Sequence, residues 1–465
     1  MSELPAGISP AEPAAPRPSA AGIVLRRAAS GWQALLALRS RRSRFMPAHL
    51  AFPGGALEPA DRPDRPGAFA RCVAREVGEE TGLALPEQAW LAAGERTTPA
   101  LFPQRFRTLF FVAELPPGAA LAAAPPSPEI EALRFAEPAE VLVEWSAGRA
   151  RVPPPVLPLL RALRAADADL VATAAALAAA NAEEDAAPRI EFDPDVWMLP
   201  VRTATLPPAS HTNVWMPGGE RFAVIDPGSD DAAELERLLA VIARRRASGS
   251  QPKIVLLTHH HRDHTAGAEI LALRLGVPLG AHPAVFERIG ATRSGLERID
   301  LDEGDRIDLG GMELVAHLTP GHAPGHLAFY LPERRALVAG DLASGVSTVL
   351  IDPDGGEMTA YLDSLERMQH VGARTLLPGH GPPLPVEALV RVAEHRRERE
   401  RRVVAALGPA ERSLGEIARD AYAGEDLLPA VLTERQTLAH LLDLERRGLA
   451  RRAAAGTWMA SRIRD

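Results

Sequence analysis

One cysteine in 465 residues, Cys72, leaves no internal disulfide to be made. Set between apolar residues of an expected helix, it reads as a buried structural thiol rather than a reactive one. One lysine, Lys253, leaves nearly all of the positive charge to arginine. Acids outnumber bases 60 to 52, for a net charge of −8, which excludes blanket electrostatic adhesion to nucleic acid while leaving room for a local basic patch. No run of about 18 uncharged apolar residues occurs, so no membrane-spanning helix is expected. Residues 1–21, rich in Pro and Ala, lack the charged-then-apolar pattern of a secretion signal. These absences together lead to the expectation of a soluble, cytoplasmic protein with no membrane partner. What the chain has is apolar residues, 46% against 24% charged, and a length that predicts about two to four domains.

Extended runs at Ile23–Leu25 and Ala34–Leu38, a glycine turn at Gly54-Gly55, a charged helix through Glu80 and a further run at Thr108–Val112 predict an α+β module over residues 21–165. A disordered N-terminus, 1–20, is expected before it. Residues 166–190 are about half alanine with scattered acids, which predicts a helix followed by a short acidic linker. From Val196 a different device repeats: a short apolar run stops at a polar residue. Phe222–Ile225 stops at Asp226, Ile254–Leu257 at Thr258-His259, Leu314–Leu318 shortly before His322, Ala336–Ala339 before Asp341, and Thr375–Leu377 before His380. Such runs, bounded by Gly and Pro, suit buried strands, so five strand ends within residues 191–400 are expected to deliver His or Asp to one place. The helix over 388–407 carries the charge run 395–402, either a solvated face or a set of phosphate contacts. Within a last domain over 401–465, Ser413 to Arg464 reads as helix, helix and short hairpin, with Gly448 ending the second helix and Trp458 buried in a strand.

His259, His261, Asp263 and His264 fall within six residues directly after a buried strand. Imidazole plus carboxylate without thiolate suits a catalytic zinc site. The run Thr258-His-His-His-Arg-Asp-His-Thr-Ala-Gly267, followed in order by His322 in Thr-Pro-Gly-His, Asp341 in Ala-Gly-Asp and His380 in Pro-Gly-His-Gly, and preceded by Asp226 in Ile-Asp-Pro-Gly, resembles the metallo-β-lactamase superfamily. The resemblance implies an αββα sandwich in which His259, His261 and His322 hold one Zn²⁺, Asp263, His264 and His380 a second, and Asp341 bridges them. Asp263 is then the catalytic candidate, with Asp226 organising the ligands from behind and metal-bound hydroxide as the attacking group. His261 stands where the diiron redox branch carries a carboxylate, which favours hydrolysis. His260 and His326 are expected as hydrogen-bonded neighbours of the ligands, and His211 either lines the mouth of the site or is an ordinary loop histidine. Only 38 residues separate Asp341 from His380, too few for the inserted domain of the β-CASP nucleases. The charged helix and winged-helix-like tail instead resemble the lactamase-like endoribonucleases, with the glyoxalase II thioesterases as the alternative.

Arg75-Glu76-Val77-Gly78-Glu79-Glu80-Thr81-Gly82-Leu83 resembles the end of the Nudix box. On a helix Glu76, Glu79 and Glu80 stand at i, i+3 and i+4, so three carboxylates share a face, which suits Mg²⁺ or Mn²⁺ bridged to a diphosphate. Gly82 fits a left-handed helix end, and Arg75 is expected to tether the preceding loop by pairing with an acid. Gly55 lies 20 residues ahead of Arg75, six more than usual, and Asp61 stands where a glutamate is expected. With Phe52-Pro53-Gly54-Gly55 and Pro153-Pro154-Pro155, the pattern resembles the coenzyme A diphosphatase-like branch, which implies an α/β/α sandwich, Glu79 or Glu80 as catalytic base and Glu129 as an additional acid. The expectation is therefore a multidomain α+β fusion: a Nudix-like hydrolase of nucleotide or CoA-type molecules, a lactamase-fold hydrolase of a phosphodiester such as single-stranded RNA or of a thioester or ester, and a winged-helix-like domain over 401–465. In the alternative, the Nudix part only binds a nucleotide and regulates its neighbour.

Overall fold

The computed structural model describes the chain except residues 1–7, 30, 44–45, 122–126, 167–168, 291–293, 426–428, 454–455 and 462–465. Residues 1–7 of the expected disordered N-terminus, and Arg464 at the other end, lie outside the described residues. Two compact units emerge, Ala14–Trp197 and Met198–Asp465, the second including Met1–Pro13.

The first unit runs β1 (Arg17–Ala28), β2 (Gly31–Arg39), β3 (Leu50–Ala51), β4 (Gly54–Ala56), α1 (Ala68–Thr81), β5 (Leu91–Thr97), β6 (Phe106–Glu114), β7 (Ile130–Ala136), α2 (Pro138–Ser146), α3 (Val156–Ala165), α4 (Leu170–Ala186) and β8 (Ile190–Asp193). Its sheet has the order β3-β2-β1-β6-β5, with β4 also paired to β1 and β7 to β2. β1 runs parallel to β6 and antiparallel to β2. Alternation decides which face each residue serves: Ile23 and Leu25 pack with residues of α2, α3 and α4, while Val24 packs with Cys72, Val73 and Val77 of α1. The sheet is thus covered by helix on both faces, as the expected α/β/α layering requires.

Two expectations change in this unit. β1 begins at Arg17, inside the stretch 1–20 expected to be disordered. Ser19 hydrogen-bonds Thr108 at 2.7 Å and Ala20 is buried, because pairing with β6 supplies the order that a Pro/Ala-rich sequence does not advertise. In place of an acidic linker, α4 extends through Glu183, Glu184 and Asp185 and packs beside β5. Asn181 Nδ2 donates to the Ala93 carbonyl at 2.8 Å, and Glu184 is buried, accepting the Arg189 N–H at 2.6 Å. Alanine favours helix, but its small side chain equally favours close approach to a sheet, and the second property was hidden by the first.

The second unit continues with β9 (Val196–Arg202), β10 (His211–Pro217), β11 (Arg221–Ile225), α5 (Ala232–Ala247), β12 (Gln251–Leu256), α6 (Arg262–Thr265), α7 (Ala268–Leu275), β13 (Leu279–Ala281), α8 (Pro283–Ile289) and β14 (Arg298–Asp300). It goes on through β15 (Arg306–Asp308), β16 (Glu313–Leu318), β17 (Leu327–Leu331), β18 (Ala336–Gly340), α9 (Met358–Gln369), β19 (Thr375–Pro378), β20 (Leu384–Pro385), α10 (Ala388–Leu407), α11 (Leu414–Ala421), α12 (Ala430–Arg446), β21 (Ala450–Arg452) and β22 (Trp458–Ala460). One sheet is ordered β14-β13-β12-β11-β10-β9, the other β15-β16-β17-β18-β19-β20. α5 and α7 pack on β12, whereas Tyr361 and Leu365 of α9 and Leu389 of α10 join a core with Leu337 and Leu376 of the second sheet. Each of the five apolar runs marked in the sequence lies in a strand, Leu257 alone falling just past β12, and its His or Asp follows within four residues of the strand's end.

The expected boundary at residue 401 falls in the middle of α10, and the C-terminal segment belongs to the same compact unit as the two sheets. α10, α11, α12 and the β21–β22 hairpin share a core of Val403, Leu407, Ile417, Leu441, Leu444 and Trp458, the last buried as expected. The arginine run does not present a free cationic face. Arg396 and Arg399 are buried, donating to the carbonyls of Val349 and Ala421, while Arg401 and Arg402 pair with Glu398, and Arg447 with Glu400 and Asp443. Among the described residues, no helix is long and apolar enough to cross a membrane.

Candidate metal centre and glutamate cavity

The loop after β12 carries His259, His260 and His261, and the one-turn helix α6 that follows carries Asp263 and His264. Loops after β16, β18 and β19 bring His322, Asp341 and His380 to the same point. Ligand atoms of His259, His261 and His322 lie within 4.8 Å of one another, as do those of Asp263, His264 and His380, and those of His259, His264 and Asp341. Asp341 stands between the sets. One carboxylate oxygen is 3.5 Å from Nε2 of both His264 and His380, and the other is 3.6 Å from Nε2 of His322.

The hydrogen bonds behind the cluster decide which ring nitrogens point inward. Asp226 accepts from the Thr258 N–H at 2.8 Å and from its hydroxyl at 2.7 Å, so the Thr258 oxygen is left to accept from His259 Nδ1 at 2.9 Å. His264 Nδ1 donates to Asp226 at 2.9 Å, His322 Nδ1 to the Leu350 carbonyl at 2.9 Å, and His380 Nδ1 to the His211 carbonyl at 2.9 Å. Each of these rings thereby turns its Nε2 towards the others. The gaps are 3.3 Å between His264 and His380, 3.3 Å between His322 and His259, and 3.0 Å from His259 Nε2 to His261 Nδ1. Ring nitrogens packed face to face, beside a buried Asp341 oxygen that has no hydrogen-bond partner, suit cations that take the place of any protons among them. The residues fit a two-metal site.

Electrostatics agree. Burial works against ionising Asp263, yet His264 and His380 hold it well below the usual carboxylate range. Burial also opposes charge on His264, but Asp341, Asp226 and Asp263 outweigh it and push that imidazole up to about 10, so a cation arriving there exchanges for a proton. His326 stays neutral, burial taking it down to about 3. It accepts the Asp341 N–H at 3.2 Å and bonds the Thr319 hydroxyl at 2.8 Å, anchoring the Asp341 backbone. His260 joins no ligand group and its Nδ1 is buried without a partner, whereas His211 serves through its carbonyl. Sequence reasoning missed Thr258 as the relay between Asp226 and His259. It also missed Asn213, whose side-chain amide donates to the Pro378 and Gly381 carbonyls at 3.0 and 2.8 Å and so holds the His380 loop; a polar residue inside an apolar strand was its only signal.

In the first unit Glu76, Glu79 and Glu80 lie on α1 and line a cavity of about 480 Å³ with Arg17, Arg39 and Glu129. Arg75 clamps the preceding loop as expected, with paired bonds of 3.0 and 2.9 Å to Asp61, so Asp61 performs the pairing from its displaced position. A Cβ at Gly55 would lie 2.3 Å from Glu76 Oε1, so any larger residue there would push the Glu76 carboxylate out of its place. Gly82, at φ 76°, ends α1 in the left-handed conformation. Burial raises Glu76 and pushes Glu80 up to about 7, although Glu80 accepts the Gly54 N–H at 3.1 Å. Glu79 is more exposed and turns to Arg75 at 3.1 Å, so the three carboxylates share a cavity without forming a convergent ligand group among the described residues. A second pocket, of about 110 Å³, shares Met46, Phe106, Thr108 and Phe110 with this cavity and adds Phe102 and Phe192.

Residues 207–380 match the model of the metallo-beta-lactamase superfamily, and residues 16–157 that of the NUDIX domain. The chain joins a NUDIX domain to a metallo-β-lactamase domain. The lactamase domain is 28% identical over 205 residues to the Beta-lactamase-like protein 2 homolog of Caenorhabditis elegans, a stretch covering 42% of this chain and 65% of the relative. It is 29% identical over 213 residues to the Atrochrysone carboxyl ACP thioesterase AacuM of Aspergillus aculeatus, covering 44% of this chain and 64% of that protein. The chain thus spans less than two thirds of the length of these relatives. A beta-lactamase domain protein from Burkholderia ambifaria superposes with a TM-score of 0.51 at 21% identity, over 58% of this chain and 93% of its own, which establishes the shared fold of the second unit.

Proposed function

We propose that the protein is a hydrolase with two separate sites, the lactamase-type site opening an acyl thioester or ester and the NUDIX site opening a diphosphate. The observation that carries the first half is the charge of the pocket wall. The pocket over the histidine cluster, about 70 Å³, is lined by Thr205, Leu206, Ser347, Val349 and Leu350 with Asp263, Asp341 and Asp352, and by no Lys or Arg among the described residues. RNA carries a charge on every phosphate and needs cations along its track as well as at the scissile bond, and outside the metal-ligand set this wall offers only Asp352 and uncharged groups, whereas a thioester carbonyl is neutral. Arg396, Arg399, Arg401, Arg402 and Arg447, tied to carbonyls and acids, do not supply that track. The thioesterase named among the relatives supports the same reading.

Bound divalent cations, zinc for a donor set of imidazoles and carboxylates, would polarise the carbonyl oxygen and lower the pKa of a water between them. His259, His261 and His322 would hold one, Asp263, His264 and His380 the other, with Asp341 shared. Asp263, held ionised, offers an oxygen to accept a proton from the attacking water. In the NUDIX cavity Glu76, Glu79 and Glu80 would hold Mg²⁺ or Mn²⁺ against a diphosphate, with Glu80, titrating near 7, the proton acceptor. The adjoining phenylalanine pocket suits an apolar or ring-bearing end of the substrate. A CoA-type thioester carries both scissile groups.

The test is to assay the purified protein against acyl-CoA thioesters, RNA oligonucleotides and nucleoside diphosphate derivatives. Asp263→Ala is expected to abolish thioester cleavage and spare diphosphate cleavage, and Glu80→Gln to do the reverse. RNA cleavage lost in Asp263→Ala, with no thioesterase activity in the wild type, replaces the first reading by the phosphodiester one. Diphosphates that bind with Mg²⁺ but are never turned over make the NUDIX domain a regulator.

A further inference from the structure

Leu350 meets the cluster through its backbone. Its carbonyl accepts from His322 Nδ1, so wherever this carbonyl sits, the imidazole of His322 follows. Residues 349–352 belong to no helix and no strand. A segment with no ladder of its own must be held from outside if it is to hold a ligand.

Its neighbours on both sides are held by the C-terminal helices. The Val349 carbonyl accepts from the buried guanidinium of Arg396 on α10. The Ile351 N–H donates to Oε1 of Gln436 on α12 at 3.2 Å. Asp352 takes paired bonds from Arg435 of α12, at 2.7 and 2.7 Å. Positions 349, 351 and 352 are therefore fixed to α10 and α12, and position 350 to the metal cluster. Val349, Leu350 and Asp352 also wall the pocket. Arg396, Arg435 and Gln436 all lie beyond residue 380, where the match to the lactamase family model ends.

We infer that Arg396, Arg435 and Gln436 are positioning residues of the metal site: they set the 349–352 segment, which in turn sets the His322 ring and one wall of the substrate pocket. The C-terminal helices on this reading are part of the active-site architecture. The inference rests on the proposed two-metal reading of the cluster but not on any substrate. Gln436 contributes an acceptor alone, since its amide nitrogen is buried without a partner. A glutamate in its place keeps the bond to Ile351, and a methionine of similar length removes it.

The experiment uses the full chain loaded with Co²⁺, whose visible spectrum reports ligand geometry independently of turnover, alongside zinc affinity by chelator competition. Gln436→Met and Arg435→Met are expected to shift the Co²⁺ spectrum and to weaken one of the two metals about 10- to 100-fold, the usual cost of losing a group that orients a ligand. Gln436→Glu is expected to restore both, and the exposed-pair variant Arg401→Gln to change neither. Circular dichroism confirms folding, and if Arg396→Ala fails to fold the conclusion rests on the position 435 and 436 variants. Folded Gln436→Met and Arg435→Met proteins with wild-type spectrum and affinity overturn the inference while leaving the metal site intact. A wild-type chain that binds no Co²⁺ overturns the metal-site reading and the inference together.

Discussion

Three bonds converge on Asp226: from the Thr258 N–H, the Thr258 hydroxyl and His264. It also adopts φ 56°, in the left-handed region, where a side chain other than glycine is held only by its surroundings. Asp226→Asn keeps the size and loses the charge that faces His264. Zinc affinity is expected to fall about 10- to 100-fold, measured by chelator competition, with the fold unchanged by circular dichroism. Glu80 gives a prediction with a defined sign. Burial, the largest cause, raises it to about 7, so its carboxyl is neutral below that pH and a cation has to displace the proton. Mg²⁺-dependent binding of a diphosphate by the NUDIX site is expected to strengthen from pH 6 to pH 8. Glu80→Gln should flatten that profile, and a wild-type profile without slope across this range refutes the assignment.

Between β16 and β19 the elements obey a rule that could be read without coordinates, because a short apolar run must be buried and its first polar residue must emerge at the sheet's end. His322, Asp341 and His380 were legible for that reason, and the loop 259–264 was legible from composition alone. Leu350 was not, since what it contributes is a carbonyl and every residue has one. Nor was α4: its alanines predict a helix, while its packing depends on a neighbouring strand far away in sequence. The arginine run misled for a related reason. Arg396 and Arg399, three apart, share the inner face of α10, whereas Arg401 and Arg402 face solvent with Glu398, and a tally of charges cannot separate the two faces. In the same segment Trp458 is fully buried against α10 and α12 residues. Trp458→Ala is expected to cost about 3–5 kcal/mol in chemical denaturation of the second unit, the usual range for deleting a core aromatic.

At the scale of the whole chain, each unit has its own core and its own candidate site. Metals should therefore act on one unit at a time. In protein loaded with zinc and kept free of Mg²⁺ and Mn²⁺, chelation is expected to lower the melting temperature of the second unit, whose converging imidazoles and carboxylates lose the cations among them, and to leave the first unit's transition in place. Readdition of zinc at 100 times its dissociation constant restores about 2.7 kcal/mol by mass action, which calorimetry can resolve if the two transitions separate. The first unit holds the means to be followed alone. Cys72 is the chain's only thiol, sealed in the core under α1 and pushed up to about 12 by burial. A folded molecule therefore has almost nothing for an alkylating reagent to attack, and each labelling event counts one opening of the NUDIX core while the lactamase unit stays silent. Without any engineered probe, the lone cysteine makes the chain its own stopwatch for how often that half breathes, and for how far a bound diphosphate slows it.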